Sequence, residues 1–599
     1  MSSPLLTPIS KEVGVFLFPL FSEMKNLTLI LILLFYLCPA LSAQTDTVSN
    51  FQKNRLTDSI VKIDITKSKS FFFSDSAFRY PNYFSIPASQ FITEKINRNN
   101  LSQLHHRSAF EEIFNPLQIK HSETFILYQI GANNSQNLLL SHFQKLNAKN
   151  SIFSEYNRNK SDGFYLHQNG LSEKLVIEFN LKKSDSYLLK PFFTYIKNTR
   201  AENGGIKSDS IFREGNFGSS TFLETNISDA SNSKYSFEGG IIQNIKLKYF
   251  EIHHRIDYQT IKKVFEYDVS ENFYDTTLLD SSLTTDKYKS TILSNEISLK
   301  YRRQFYIIQP GIQSEYLNYN QNNFDTLSFG NKLFLNSYFS KKHNFLKLQA
   351  NYFVNGFNKG NYSCEFIFEK HKLNFLTNLK ISFFLKNQNP EIYFYRMNGN
   401  HFHWNNQLNP ITELKSTIAA NSKFGNFKLS FETVQKYVFL NENMNVFQSS
   451  EKLQQISFNY HFCIDKKKIF WRNDFLYQKV FTGTSFYRIP EFTLRSDFRF
   501  KTKLKAMNLH LGITANYCSE YYANAYDPAL GMFYLQNTIK TGNYPILDFS
   551  IYSTVKTVDI KFTLAHFNSG LTGYNYYATP LYPIAPRSFY FGLSWHFKD

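Results

Sequence analysis

The chain has 599 residues, with 66 Lys and Arg against 48 Asp and Glu for a formal net charge of +18, and only 42% of its residues are hydrophobic. That balance excludes a bundle of membrane-spanning helices. Its 63 Phe, 39 Tyr and 3 Trp, beside an ordinary 23 Gly and 17 Pro, exclude a disordered chain as well, because so many rings must be received by a large surface.

From Met24 the sequence carries a cation at Lys25, an apolar run from Leu27 to Leu37, and the stretch Ala40-Leu41-Ser42-Ala43 before polar Gln44. This three-part layout predicts a secretory signal cleaved after Ala43, so residues 1–43 read as a signal peptide with an N-terminal extension. The run is shorter than the about 20 residues of a spanning helix. Bulky Phe35, Tyr36 and Leu37 before Cys38 argue against a lipid-modified cysteine. Residues 44–114 are polar with few clean strands and read as a periplasmic N-terminal segment, whether tether, small plug or disorder. After export three cysteines remain, Cys364, Cys463 and Cys518, too few and too scattered for a disulfide framework.

Residues 115–599 alternate with a period of two. Phe250, Ile252, Ile256 and Tyr258 interleave with Glu251, His253, Arg255 and Asp257, and Leu346, Leu348, Ala350 and Tyr352 with Lys347, Gln349 and Asn351. The same rhythm runs through Ile456–Phe462, Phe492–Phe500 and Met507–Cys518. It ends with Phe589, Phe591, Leu593, Trp595 and Phe597, which alternate with Tyr590, Gly592, Ser594 and His596. Each stretch is a strand with one apolar face and one wet face.

Tight basic turns are predicted at 182–185, 244–246, 301–304, 341–344, 370–372, 423–426, 465–468, 501–503 and 556–559, and long loops at 520–545 and 569–587. Short turns alternating with long loops mark an up-and-down barrel of an outer membrane. Lipid offers no partner to backbone N–H and C=O groups, so a sheet enters a bilayer only by closing on itself. The expected fold is therefore all-β, a transmembrane up-and-down antiparallel β-barrel of about 18 to 22 strands, even in number. Above about 16 strands such a wall encloses an aqueous lumen unless something plugs it. A soluble β-sandwich array or propeller fits less well, because the propeller's repeat of about 40 residues is missing.

Five segments carry a resemblance: Ser161-Asp162-Gly163-Phe164-Tyr165, Glu202-Asn203-Gly204-Gly205-Ile206, Gly542 to Asp548, His566 to Leu571, and the closing run Arg587 to Phe597. Taken in order, they make the chain similar to the putative porin family of outer-membrane β-barrels from Bacteroidetes-type bacteria, over roughly residues 105 to 599. The resemblance implies an outer-membrane barrel with diffusion-pore activity and brings no catalytic or ligand residues with it.

Candidate pore-lining residues follow from the wet face: the cations Arg255, Lys347, Lys428, Arg495, Arg499 and Lys561, and the carboxylates Glu251, Asp257, Glu432 and Asp497. Such cations could concentrate anions in a lumen, although mixed signs more often form neighbouring ion pairs than a selectivity ring. Phe589, Phe591, Leu593, Trp595 and Phe597 are expected to face lipid. Rings on the apolar face, apart from the cations, argue against nucleic-acid stacking.

Two constellations invite chemistry. His401-Phe402-His403 sets two imidazoles on one side of an extended chain, without the further ligands zinc needs, and reads as an exposed loop pair. His105-His106 and His253-His254 point to opposite sides of any strand. His566 and Ser569 could build an acyl-transfer site only if a turn brought them into hydrogen-bond reach. No enzyme activity, cofactor or metal is therefore expected.

The functional expectation is a porin for passive diffusion of small hydrophilic solutes, with an inward-folded long loop setting its size limit. The alternative is a non-conducting surface or structural barrel for adhesion or complex assembly, and a TonB-dependent receptor ranks third for want of a large plug domain. Expected partners are outer-membrane lipids, the barrel-assembly machinery and the solutes, and a homo-oligomer is compatible with this reading.

Overall fold

The computed structural model describes residues 122–598 except 323, 373–374 and 505–506. The signal segment 1–43, the segment 44–114 and the pair His105-His106 lie outside the described residues.

One sheet of 22 strands forms the wall. Its first half comprises β1 (Glu123–Gly131), β2 (Ser135–Lys145), β3 (Asn150–Ser161), β4 (Gly170–Lys182), β5 (Tyr187–Ala201), β6 (Ala230–Lys246), β7 (Phe250–Asp268), β8 (Leu283–Arg302), β9 (Tyr306–Gln321), β10 (Phe324–Lys341) and β11 (Asn344–Phe353). The second half comprises β12 (Tyr362–His371), β13 (Leu376–Gln388), β14 (Ile411–Ser422), β15 (Gly425–Gln435), β16 (Leu453–Asp465), β17 (Ile469–Thr482), β18 (Phe492–Leu504), β19 (Met507–Cys518), β20 (Ile546–Val555), β21 (Val558–Ala565) and β22 (Ser588–Lys598). Each strand pairs antiparallel with its neighbour in sequence, and β22 pairs with β1 from Lys598↔Glu123 to Tyr590↔Gly131, which closes the wall.

Closure leaves no edge strand, so every strand finds two partners for its backbone groups. At the seam the glycine is obligatory in size: a Cβ on Gly131 would lie 2.3 Å from the Tyr590 ring. The alternation expected from sequence sorts residues to two faces. Phe589 is 72% exposed on the outer face, while its neighbour Tyr590 is 3% exposed on the inner one.

The two rims differ. One rim carries ten connections of two to four residues, such as 342–343, 423–424 and 556–557. The other carries the long loops 202–229, 389–410, 436–452, 519–545 and 566–587. Two predicted turns are displaced: 244–246 and 501–503 belong to strands, which end at Lys246 and Leu504. Sequence patterning also passed over the short turn at 146–149. Strands β5 to β10 run 15 to 20 residues, well beyond the about 10 that cross a bilayer, so this side of the wall is tall.

Four of the five apolar clusters among the described residues lie at the long-loop mouth, and the fifth, Phe143, Phe153 and Val176, lies in the wall near the short turn 146–149. The largest joins Phe164, Tyr165, Ile206, Phe212, Tyr544, Tyr576, Tyr577 and Ile584 from four separate connections, Tyr544 at the end of the one before β20. Loop 202–229 enters this core through α1 (Asp209–Glu214), whose N-cap Ser208 accepts from the Ile211 amide and whose buried Phe212 stacks on Phe217. The side-chain oxygen at the N-cap satisfies an amide that the helix itself leaves open. The three cysteines are free.

Candidate functional site

Two features meet inside the wall: a belt of charged residues on its inner face and a loop that crosses its mouth. The belt is built by register. On one face of an antiparallel sheet, opposite charges meet directly or diagonally across a strand pair, or two residues apart on one strand. Arg255 donates to Glu238 at 3.0 Å and to Asp257 at 2.6 Å, and Lys300 faces Glu251 at 3.8 Å. Lys347 reaches Glu365 at 2.9 Å, and Lys415 reaches Glu432 at 3.1 Å. Asp497 binds Arg499 and lies 3.7 Å from Arg472.

All ten candidate pore-lining residues share this inner face. Arg495 stands opposite Asp474 in register, and Lys428 opposite Asn459. Lys561 and Arg499 both lie over the Tyr552 ring, at 4.9 and 4.3 Å from its centroid. The belt is a mosaic of ion pairs rather than a ring of one sign, because carboxylates sit beside most of its cations. Phe589, Phe591, Leu593, Trp595 and Phe597 share the outer face.

The crossing loop, residues 519–545, leaves β19 and returns to β20. Its tip is a short hairpin pairing Ala525–Asp527 with Met532–Tyr534. This tip docks on the inner side of β5 to β7, and β7 is separated from β19 by nine strands one way round the wall and eleven the other. The loop is thus close to a diameter.

Docking is polar on the far side. Lys263 donates to the Leu530 carbonyl at 2.6 Å, Asn232 to the Pro528 carbonyl at 2.7 Å, and the Ala529 amide to the Tyr274 hydroxyl at 3.0 Å. Arg200 binds both Glu202 and the Tyr526 hydroxyl, and that hydroxyl donates to Glu202 at 3.0 Å. Asp527 holds the turn by accepting from the Leu530 amide at 2.8 Å. Burial pushes the Asp527 carboxyl up to about 7 and lifts the Tyr526 and Tyr274 phenols well above their usual range. On its near side the loop is apolar: Leu530 and Met532 pack with Phe394, Met397, Val438 and Leu440.

The histidine constellations are structural. His401 is buried, not an exposed loop residue, which corrects the sequence reading. Its two ring nitrogens contact the Thr276 carbonyl and the Thr284 hydroxyl, each at 2.7 Å, and its ring stacks on Tyr274 at 4.2 Å. His403 points elsewhere, exposed in a hairpin pairing Arg396–Asn398 with His403–Asn405. Among the described residues no group of three or more His, Cys, Asp or Glu is placed to hold a metal. His253 contacts Asn244 and His254 contacts Asn295, on opposite faces. His566 contacts the Ala585 carbonyl at 2.7 Å and the Tyr544 hydroxyl at 3.1 Å, whereas Ser569 donates to Tyr576 at 3.1 Å.

Sequence reasoning missed Arg200, Asn232, Lys263, Tyr526 and Asp527. The one available signal was the turn chemistry of Asp527-Pro528 with Gly531 in the middle of a long loop. Nothing in the sequence names Lys263 as its partner.

Residues 75–599 match the putative porin family. The chain belongs to that family. The resemblance rested on five segments, and four of them supply buried residues to one core: Phe164 and Tyr165, Ile206, and Tyr544 and Ile546, with His566 against Tyr544 and Tyr576. The fold is also that of several solved transporters. The FrpB iron transporter from Neisseria meningitidis (F3-3 variant) is similar with a TM-score of 0.58 and 10% identity, over 80% of this chain and 82% of that one. The siderophore receptor PirA from Acinetobacter baumannii gives 0.55 and 10%, over 80% of each chain. The copper transporter OprC gives 0.57 and 9%, again over 80% of each. At such identities the likeness establishes the fold alone. No curated protein matches the sequence. The porin-family chain is an outer-membrane β-barrel.

Proposed function

We propose that this porin-family barrel passes small hydrophilic solutes by passive diffusion and that loop 519–545 sets the size limit. The observation that carries the reading is the contrast between the wall's two faces. Inner ion pairs such as Arg255 with Glu238 and Lys347 with Glu365 keep 22 to 32% of their side-chain surface in contact with solvent, while the outer face exposes Phe, Leu and Ile. Charges kept wet within an apolar exterior fit a polar path through lipid. The pairing favours weak ion selectivity with a slight preference for anions. Export through a signal cleaved after Ala43, insertion by the barrel-assembly machinery and an absence of catalytic chemistry belong to the same proposal.

A second reading, active uptake of a bound solute, is favoured by the strand number, since 22-stranded outer-membrane transporters carry a plugged lumen. Planar-bilayer recording of the full chain separates the two. Ohmic steps from the wild-type protein support diffusion, whereas silence that is relieved only when residues 525–534 are replaced by a Gly-Ser link supports a closed transporter. Silence of both proteins supports the non-conducting display barrel. In a KCl gradient a reversal potential that favours cations would count against the anion preference.

A further inference from the structure

The rim of short turns is unusually basic. Among the described residues nine of its connections carry an exposed Lys or Arg, and those nine hold eleven cations against one carboxylate, Asp185, which pairs with Lys182 at 2.6 Å. The loops of the opposite rim hold nine cations against fifteen carboxylates. The net charge of the chain is therefore polarised toward one rim. Cations recur there beside exposed rings: Lys248 lies 5.3 Å from the Tyr249 centroid, Arg303 5.7 Å from the same ring, Lys341 5.5 Å from Phe305 and Lys423 4.9 Å from Phe424. Three of the turns place Lys at left-handed backbone positions, Lys342 at φ 53°, Lys372 at φ 59° and Lys556 at φ 53°, where Gly or Asn would be less strained.

We propose that this rim is a binding surface for anionic phospholipids of the leaflet that borders it. The cations take the headgroup phosphodiester, and the rings lie at headgroup depth. Position favours lipid over a soluble polyanion, because the rings continue the outer face of the wall: Phe250 on that face packs on Tyr301 at 5.1 Å, and Tyr301 in turn lies 5.7 Å from the Arg303 guanidinium. Amphipathic rings collect at such interfaces, and juxtamembrane cations are drawn to anionic headgroups. This surface does not depend on whether the barrel conducts.

The test is lipid retention by the full chain, measured by native mass spectrometry after release from nanodiscs of equimolar phosphatidylcholine and phosphatidylglycerol. The wild-type protein should retain phosphatidylglycerol in preference, and the quadruple variant Lys248→Gln, Arg303→Gln, Lys342→Gln, Lys423→Gln should retain at least about fivefold less. A control with Lys207, Lys359, Lys436 and Lys540 changed to Gln on the other rim should keep the preference, with heat-modifiable migration on gels reporting that both variants are folded. Competition with free glycerol phosphate should displace little of the lipid. Equal retention of the two lipids by the wild-type protein, an equal loss in the control, or full displacement by glycerol phosphate would overturn the proposal. So would an undiminished preference in the quadruple variant.

Discussion

Lys263 on β7 donates to the backbone carbonyl of Leu530 at 2.6 Å, across 267 residues of sequence and nearly the full width of the barrel. This charged hydrogen bond holds the loop tip beside the contacts of Arg200, Asn232 and Tyr274. The wall is rigid because it is closed, so the position of the loop tip rests on contacts of this kind.

Lys263→Gln shortens the donor and removes its charge, and should weaken docking of the tip by about 2 kcal/mol, the scale of a hydrogen bond from a charged group. That corresponds to roughly a 30-fold shift toward the undocked loop. In single-channel records it should show as larger or noisier openings, and Lys436→Gln, in a loop on the same rim, should not reproduce them. Unchanged records for Lys263→Gln would remove the loop from any role in size limitation.

The same contact should depend on pH through Asp527. Burial raises this carboxyl to about 7 in the docked loop, with Lys263 pulling it down and Glu202 pushing it up. A group whose folded pKa is raised favours the folded form most below its unfolded value of about 3.9, and that contribution is lost as pH rises through about 7. Docking should therefore be firmer at pH 5 than at pH 8. Open probability measured across that interval should rise with pH in the wild-type protein and stay level in Asp527→Asn.

His566 carries the opposite sign. Burial lowers its imidazole to about 4, and contact with the Ala585 carbonyl and the Tyr544 hydroxyl suits the neutral ring. A lowered folded pKa makes stability greatest above the unfolded value of about 6.5, with loss as pH falls through about 4. Loop 566–587 should become open to limited proteolysis near pH 4 and resist it at pH 7. In His566→Gln, susceptibility should no longer change between these two pH values.

The seam offers a packing test. With its Cβ 2.3 Å from the Tyr590 ring, Gly131→Ala has no room unless the ring moves. Overpacking of this kind costs about 1–3 kcal/mol. The variant should lose resistance to heat in detergent, seen as an earlier shift from the compact to the extended gel band. Tyr590→Ala in the same chain should restore part of the loss, which a general folding defect would not allow.

Much of this architecture is legible in the sequence. The period-two patterning at Met507–Cys518 matches β19 residue for residue, and the run Phe589–Phe597 falls within β22. Strand position and facing are local consequences of which side chains meet lipid and which meet water, and ten charged residues on the inner face followed from that rule. The displaced turns at 244–246 and 501–503 show its limit, because a basic residue is as welcome at the end of a strand as in the turn after it. His401 shows another. A polar histidine in a loop reads as exposed, yet a neighbouring loop supplies Thr276 and Tyr274 to bury it.

By itself the sequence determined a closed wall with two unlike faces and two unlike rims, since alternation, turn length and the cost of an unpaired backbone in lipid all act over a few residues. Only the tertiary structure decided that loop 519–545 crosses the mouth, that Arg200, Asn232 and Lys263 receive it, and that Glu202 joins them. Those contacts link positions hundreds of residues apart, and no periodicity records which loop will turn inward or which strands will stand opposite it once 22 of them have closed into a ring.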